Sequence, residues 1–161
     1  MPMPAIVNAS PLILLAKTGN LGLLHLAGDP VFVPRAVEQE ILQGGPTDPA
    51  TQALRHTNWL QVVDPGPDAP LLLPYRLDPG EAAVLTWALA HPGTMALLDD
   101  LAARRCAIAL GIGHQGSAGL VVAAKQQSLI PLARPALEQL RRAGLYLSDT
   151  VMNQILVRVG E

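Results

Sequence analysis

Glu40, Glu81 and the pair Asp99-Asp100 are scattered along the chain, and each falls where an α/β fold brings it to one edge of a sheet. Asn8 completes the set but lacks the charge. In open parallel sheets, groups at the carboxyl ends of strands and at the starts of the following helices converge on a single crevice. Carboxylates gathered there repel one another, so the cluster is settled only by a bound cation or a shared proton. Such oxygen clusters bind Mg2+ or Mn2+, and the ion, keeping some of its waters, positions and activates one to attack a phosphodiester.

The elements needed to position these groups can be read from the pattern of the chain. Ala5-Ile6-Val7 reads as a short buried strand ended by Asn8, with Ser10 as a helix N-cap and Pro11 in the first helical position. Leu12, Leu15, Ala16, Leu21 and Leu24 continue an apolar face through a break at Gly19-Asn20. A second strand, Val31-Phe32-Val33, runs through Pro34 into a helix ending near Gly44-Gly45. Val33, Val37 and Ile41 form its inward stripe; Glu40 lies about 60° from the centre of that stripe, at the margin of the core, with Glu38 and Gln39 further away.

A short polar helix at 52–55 and a strand at 59–63 follow, then a proline-rich loop at 65–74. Asp78-Pro79-Gly80-Glu81 opens a helix with Leu85, Ala88 and Leu89 inward, stopped by His91-Pro92-Gly93. Thr94 to Leu98 is an apolar strand ending in Asp99-Asp100, and a helix runs on to Gly111. Beyond the glycine-rich loop 113–116, helices are expected at 120–126, at 135–142 and from Ser148-Asp149, the last with Val151, Ile155 and Leu156 as its apolar face. Alternating strands and helices point to a parallel sheet covered on both faces, in one domain over residues 1–161.

Each acid also has an ordinary explanation. Asp78 with Glu81 fits a capping box, and Asp100 is a plausible N-cap for the helix after it. Glu40 reads equally as a solvated glutamate on a helix edge. Such structural roles can coexist with a shared site.

The formal charge of -2 argues against a surface that attracts phosphate everywhere, while leaving room for a local basic patch. Arg104, Arg105 and Lys125 are the candidates for contact with a nucleic-acid backbone; the competing reading is a set of solvated helix faces. With only Phe32, Trp59, Trp87, Tyr75 and Tyr146 as aromatic rings, little material is left for a base-stacking platform. Cys106, the only cysteine, reads as a small buried residue, and His114 as a surface loop residue. The N-terminal Met-Pro-Met-Pro has no basic residue ahead of its apolar stretch and no apolar run reaches bilayer-spanning length, so the expected location is the cytoplasm.

The segments Ile6 to Ile13, Val33-Pro34 through Glu40-Ile41-Leu42, Leu77 to Ala82, and Leu97-Leu98-Asp99-Asp100 through Ala103-Arg104 resemble the PIN-domain superfamily. More narrowly, with Gly116 to Leu120 through Ala124-Lys125 and Leu140 to Asp149, they resemble a prokaryotic branch related to VapC toxins. The resemblance implies an α/β/α sandwich of three layers around a parallel sheet, a Mg2+- or Mn2+-dependent endoribonuclease site, and a homodimer. It puts the first acidic position on Asn8, the helix glutamate on Glu40, the third acid on Glu81 and the fourth on Asp99 or Asp100. Of that last pair Asp99 is favoured as metal ligand, because Asp100 has the competing cap. Ser10 matches the small hydroxyl residue that accompanies the first acid.

The chain departs from the pattern at Asn8, whose amide oxygen can ligate a hard cation but brings no charge. Two readings follow. One is a metal-dependent ribonuclease of the toxin type, acting on RNA and restrained by a small antitoxin protein; the other is a catalytically degenerate PIN fold that binds a protein or RNA partner without cleavage. A phosphorelay receiver also uses an acidic pair at a sheet edge, but there the pair follows the first strand, and here it comes late.

Overall fold

The structure is a computed structural model describing residues 2–161; the Met1 end of the expected 1–161 domain and of the N-terminal apolar stretch lies outside the described residues. Five strands, β1 (Ala5–Val7), β2 (Val31–Pro34), β3 (Leu60–Val63), β4 (Met95–Leu97) and β5 (His114–Gln115), form one sheet in the order β3-β2-β1-β4-β5. Every pairing is parallel. The helices are α1 (Ala9–Lys17), α2 (Arg35–Leu42), α3 (Pro49–His56), α4 (Pro79–Ala90), α5 (Leu101–Ala109), α6 (Ser117–Gln126), α7 (Arg134–Ala143) and α8 (Asp149–Arg158). They cover the sheet on both faces as a three-layer α/β/α sandwich, the fold class that the alternating pattern predicts.

Parallel strands in such a fold are buried on both faces and so read as unbroken apolar runs. Ala5, Ile6 and Val7 in β1 are fully buried. The core is aliphatic, built from Leu12 and Leu15 of α1, Val37 and Ile41 of α2, Val84 and Leu85 of α4, Leu120 of α6 and Leu137 and Leu140 of α7. Cys106 is buried within it.

Helix α4 packs against β1, β2, β4 and α2, and its residues Gly80 to Thr86 are all buried. A helix apolar on nearly every side belongs in the interior. Its start is fixed by the capping box: Asp78 Oδ1 accepts from the Glu81 N–H at 2.8 Å, and Glu81 Oε2 accepts from the Asp78 N–H at 3.1 Å. A cap of this kind contributes about 1 kcal/mol.

The structure corrects several expectations. Ser10 lies inside α1 and is not its cap; Asn8 occupies the cap position, with no capping bond from its side chain. The loop at 65–74 includes a 3-10 turn at Pro70–Tyr75. His114 and Gln115 form an edge strand, too short for alternation to reveal, and α6 begins at Ser117 instead of Leu120. Val151 is exposed, and Met152 takes the buried position in α8 beside Leu156. Among the described residues no helix is long and apolar enough to cross a membrane.

Candidate active site

The strand order reverses direction between β1 and β4, and there the crevice opens. Val7 is paired with Leu97, so Asn8 and Asp99 leave neighbouring strands side by side, and the Asn8 N–H donates to the Leu97 carbonyl at 3.1 Å. Glu40 arrives from the last turn of α2, Asp78 and Glu81 from the start of α4, and Asp100 from the cap of α5. With Ser10, Gly144 and Tyr146 they line one cavity of about 280 Å³. Three separate stretches of chain thus deliver their acids to one place, and a fourth delivers Asn8.

The carboxylates differ in how they are held. Asp99 is engaged most: Oδ1 accepts from the Ser117 N–H at 2.7 Å, and Oδ2 accepts from the Ser117 hydroxyl at 2.7 Å and the Ser10 hydroxyl at 3.2 Å. Asp100 caps α5, its Oδ2 accepting from the Ala103 N–H at 3.1 Å. The competing cap is therefore real, yet Asp99 carries more hydrogen bonds than Asp100. Glu40 is exposed, more so than its place on the helical stripe predicts, while the less exposed Glu38 pairs with Arg35 at 3.0 Å.

Glu81 is only 8% exposed, and its carboxyl is pushed up to about 7. Burial is the main cause, repulsion from Asp78 and Asp100 adds to it, and the Asp78 N–H pulls the other way. Glu40 is raised as well, first by the desolvation it suffers in the cavity wall and then by Asp78.

Asn8 is buried, and its Oδ1 has no hydrogen-bond partner among the described residues. It is packed against the first turn of α4, where a Cβ on Gly80 would come within 2.9 Å of that oxygen. Gly80 therefore permits the close approach of strand end and helix start. An orphaned amide oxygen beside carboxylates is an all-oxygen donor set with excess negative charge, which in kind fits a hard divalent cation. Among the described residues no three His, Cys, Asp or Glu side chains converge closely enough to form a ready cage. The acids are held instead by the fold: Glu81 and Asp100 each commit an oxygen to a helix start, and Asp99 commits both to Ser117.

Of the basic candidates, Arg104 lines a larger groove of about 700 Å³ next to this cavity, and Asp99, Leu145 and Tyr146 form walls of both. Arg105 is exposed on α5 and lines neither. Lys125 lines neither as well; it donates to the Pro131 carbonyl at 2.6 Å and pairs with Glu161 at 3.8 Å, tying the end of the chain to α6. Sequence reasoning gave no role to Ser117 or Tyr146 in the site. A buried serine at a helix start carries no signal of its own, because its partner lies 18 residues back.

In a parallel α/β/α sheet, the crevice at the switch point is where ligands bind, and here it is lined by oxygen donors. A family model described as a PIN domain, DUF3368, matches residues 4–161, and the chain belongs to that family. PIN domains are in general nucleases that depend on divalent metal and act on RNA. Searches of curated proteins and of solved structures give no significant match.

Proposed function

We propose that this chain is a metal-dependent endoribonuclease of the VapC-like toxin type, hydrolysing RNA phosphodiesters in the cytoplasm and restrained by a small antitoxin protein. The observation that carries the reading is the convergence of Asn8, Glu40, Glu81, Asp99 and Asp100 on one cavity in a PIN-domain chain. Glu40, Glu81, Asp99 and Asp100 would hold Mg2+ or Mn2+, with the Asn8 amide oxygen as a neutral ligand. The bound ion would supply Lewis-acid stabilisation of phosphate charge and a more acidic water.

The protein's own groups do the rest. In hydrolysis a water oxygen bonds to phosphorus while a phosphate ester bond breaks; one proton leaves the water and one reaches the departing oxygen. Glu81, with its carboxyl near neutrality, is suited to holding such a proton. Ser10 and Ser117 keep Asp99 facing the cavity.

A second reading, a PIN module that binds without cleaving, is favoured by the neutral Asn8 and by the prior hydrogen bonding of Asp99. One experiment separates the two. Glu40 is exposed, and among the described residues its side chain has no hydrogen bond to lose, so Glu40→Gln tests chemistry without unsettling the fold. Cleavage of RNA with Mn2+ that disappears in Glu40→Gln supports the nuclease; no cleavage and no heat of metal binding in the natural protein supports the binding module.

A further inference from the structure

We infer that Tyr146 is the stacking residue for an unpaired RNA base, in the groove beside the acidic cavity, with the Arg104 and Arg158 guanidiniums taking backbone phosphates on the same side. The inference rests on the ribonuclease reading and deepens it, since it states how a strand would lie relative to the acids. The groove, about 700 Å³, runs between β5, the start of α6 and α8, and Asp99, Leu145 and Tyr146 form the partition between it and the acidic cavity. A strand crossing that partition has one phosphate over the carboxylates and its neighbours over the arginines.

Tyr146 stands out by its exposure of 91%. Most other rings are used inside the fold: Phe32 packs on Trp87, Trp87 stacks on His91, and Trp59 lies on His25. The flanking Leu145 and Leu147 turn inward, Leu147 being buried, so the segment is anchored on both sides and presents the phenol ring outward. The scarcity of aromatics rules out an extended platform, but one ring at the lip of the site suffices to hold one base. Stacking needs only a π-face and tolerates any base.

The charges agree. Arg35, Arg134, Arg141 and Arg142 are each paired with a carboxylate; among the described residues Arg55, Arg76, Arg104, Arg105 and Arg158 have no ion pair, and of these Arg104 and Arg158 line the groove. Arg104 Nε is buried without a hydrogen-bond partner among the described residues. Two unneutralised guanidiniums on a groove that abuts an anionic cavity suit a polyanion held at the groove and reacting at the cavity.

The test is fluorescence anisotropy of a labelled single-stranded RNA of mixed sequence in EDTA, where cleavage contributes nothing. Tyr146→Ala is expected to weaken binding on the order of tenfold and Tyr146→Phe to retain it, as stacking on one ring requires. Arg158→Ala should reduce the slope of log affinity against log salt by roughly 0.7, the value for one phosphate contact on a single strand. The inference is overturned if Tyr146→Ala binds as the natural protein does, if a duplex of the same sequence binds as tightly, or if no RNA binds and the groove takes a protein instead. Binding that depends on Tyr146 without any cleavage in Mn2+ would retain the groove and remove the nuclease; cleavage indifferent to Tyr146→Ala would do the reverse.

Discussion

Ser117 grips both oxygens of Asp99, its backbone N–H on Oδ1 and its hydroxyl on Oδ2, each at 2.7 Å. The hydroxyl is fully buried, and the contact joins the end of β4 to the start of α6. A Cβ on Gly116 would lie 3.1 Å from Asp99 Oδ1, so the residue before the serine is small where the carboxylate passes. Asp99 is therefore aimed by its surroundings before any ligand arrives.

Ser117→Ala should cost about 1.5–3 kcal/mol of stability, the range for a buried hydrogen bond to a charged group. Urea unfolding measures it, and a loss under 0.5 kcal/mol on the same scale would show that the contact does not constrain Asp99.

Asn8→Asp adds a buried carboxylate to a site already crowded with them. Without metal the variant should melt lower than the natural protein; with millimolar Mn2+ its melting temperature should rise by more. An added unit charge ~4 Å from a divalent cation contributes about 8 kcal/mol in a medium of effective dielectric ~20, and desolvation offsets most of it. Tenfold or greater tightening by calorimetry is the expected outcome, and unchanged affinity would mean that residue 8 does not face the ion.

Glu81 imposes a pH dependence of definite sign. Its carboxyl rises from an ordinary 4.5 to about 7 on folding, so the native state holds the extra proton. That contribution is fully present below about 4.5 and is lost as the pH climbs through about 7, for a decline on the order of 3 kcal/mol. Glu81→Gln keeps the capping box and removes the ionisation, so its stability in EDTA should be flatter between pH 5 and 8. Parallel curves for the two proteins would refute the assignment.

Metal binding should carry the opposite proton linkage. A cation favours the ionised carboxylates, so protons leave as it binds, and affinity should fall as the pH drops below about 7. Calorimetry in buffers of different ionisation enthalpy counts the protons released; none released would place the ion away from Glu81.

Much of this was legible in the chain because the signals were local. The apolar run Ala5-Ile6-Val7 marked a short buried strand, and Asp78-Pro79-Gly80-Glu81 spelled a capping box that the hydrogen bonds bear out. The fold class followed from the alternation of such elements. What stayed hidden depended on partners distant in sequence. Whether Asn8 or Ser10 occupies the cap position is decided by how the strand end pairs with Leu97, and a two-residue strand such as His114-Gln115 has no periodicity to detect. The aim of Glu40 across to Asp78 depends on α2 packing against α4, which no window of one helix contains.

The placement of Asn8 and Leu98 directly beyond paired central strands also sets how the molecule breathes. Their amides are bound to Leu97 and Gln115 carbonyls at 3.1 and 3.0 Å, next to strand residues that no solvent reaches. Hydrogen exchange at those two positions should proceed only through global opening, whereas the Tyr146 amide, on the connection between α7 and α8, should exchange through local fluctuation. The crevice thus has a floor of buried, hydrogen-bonded strand ends, and its exposed lip is the ring of Tyr146.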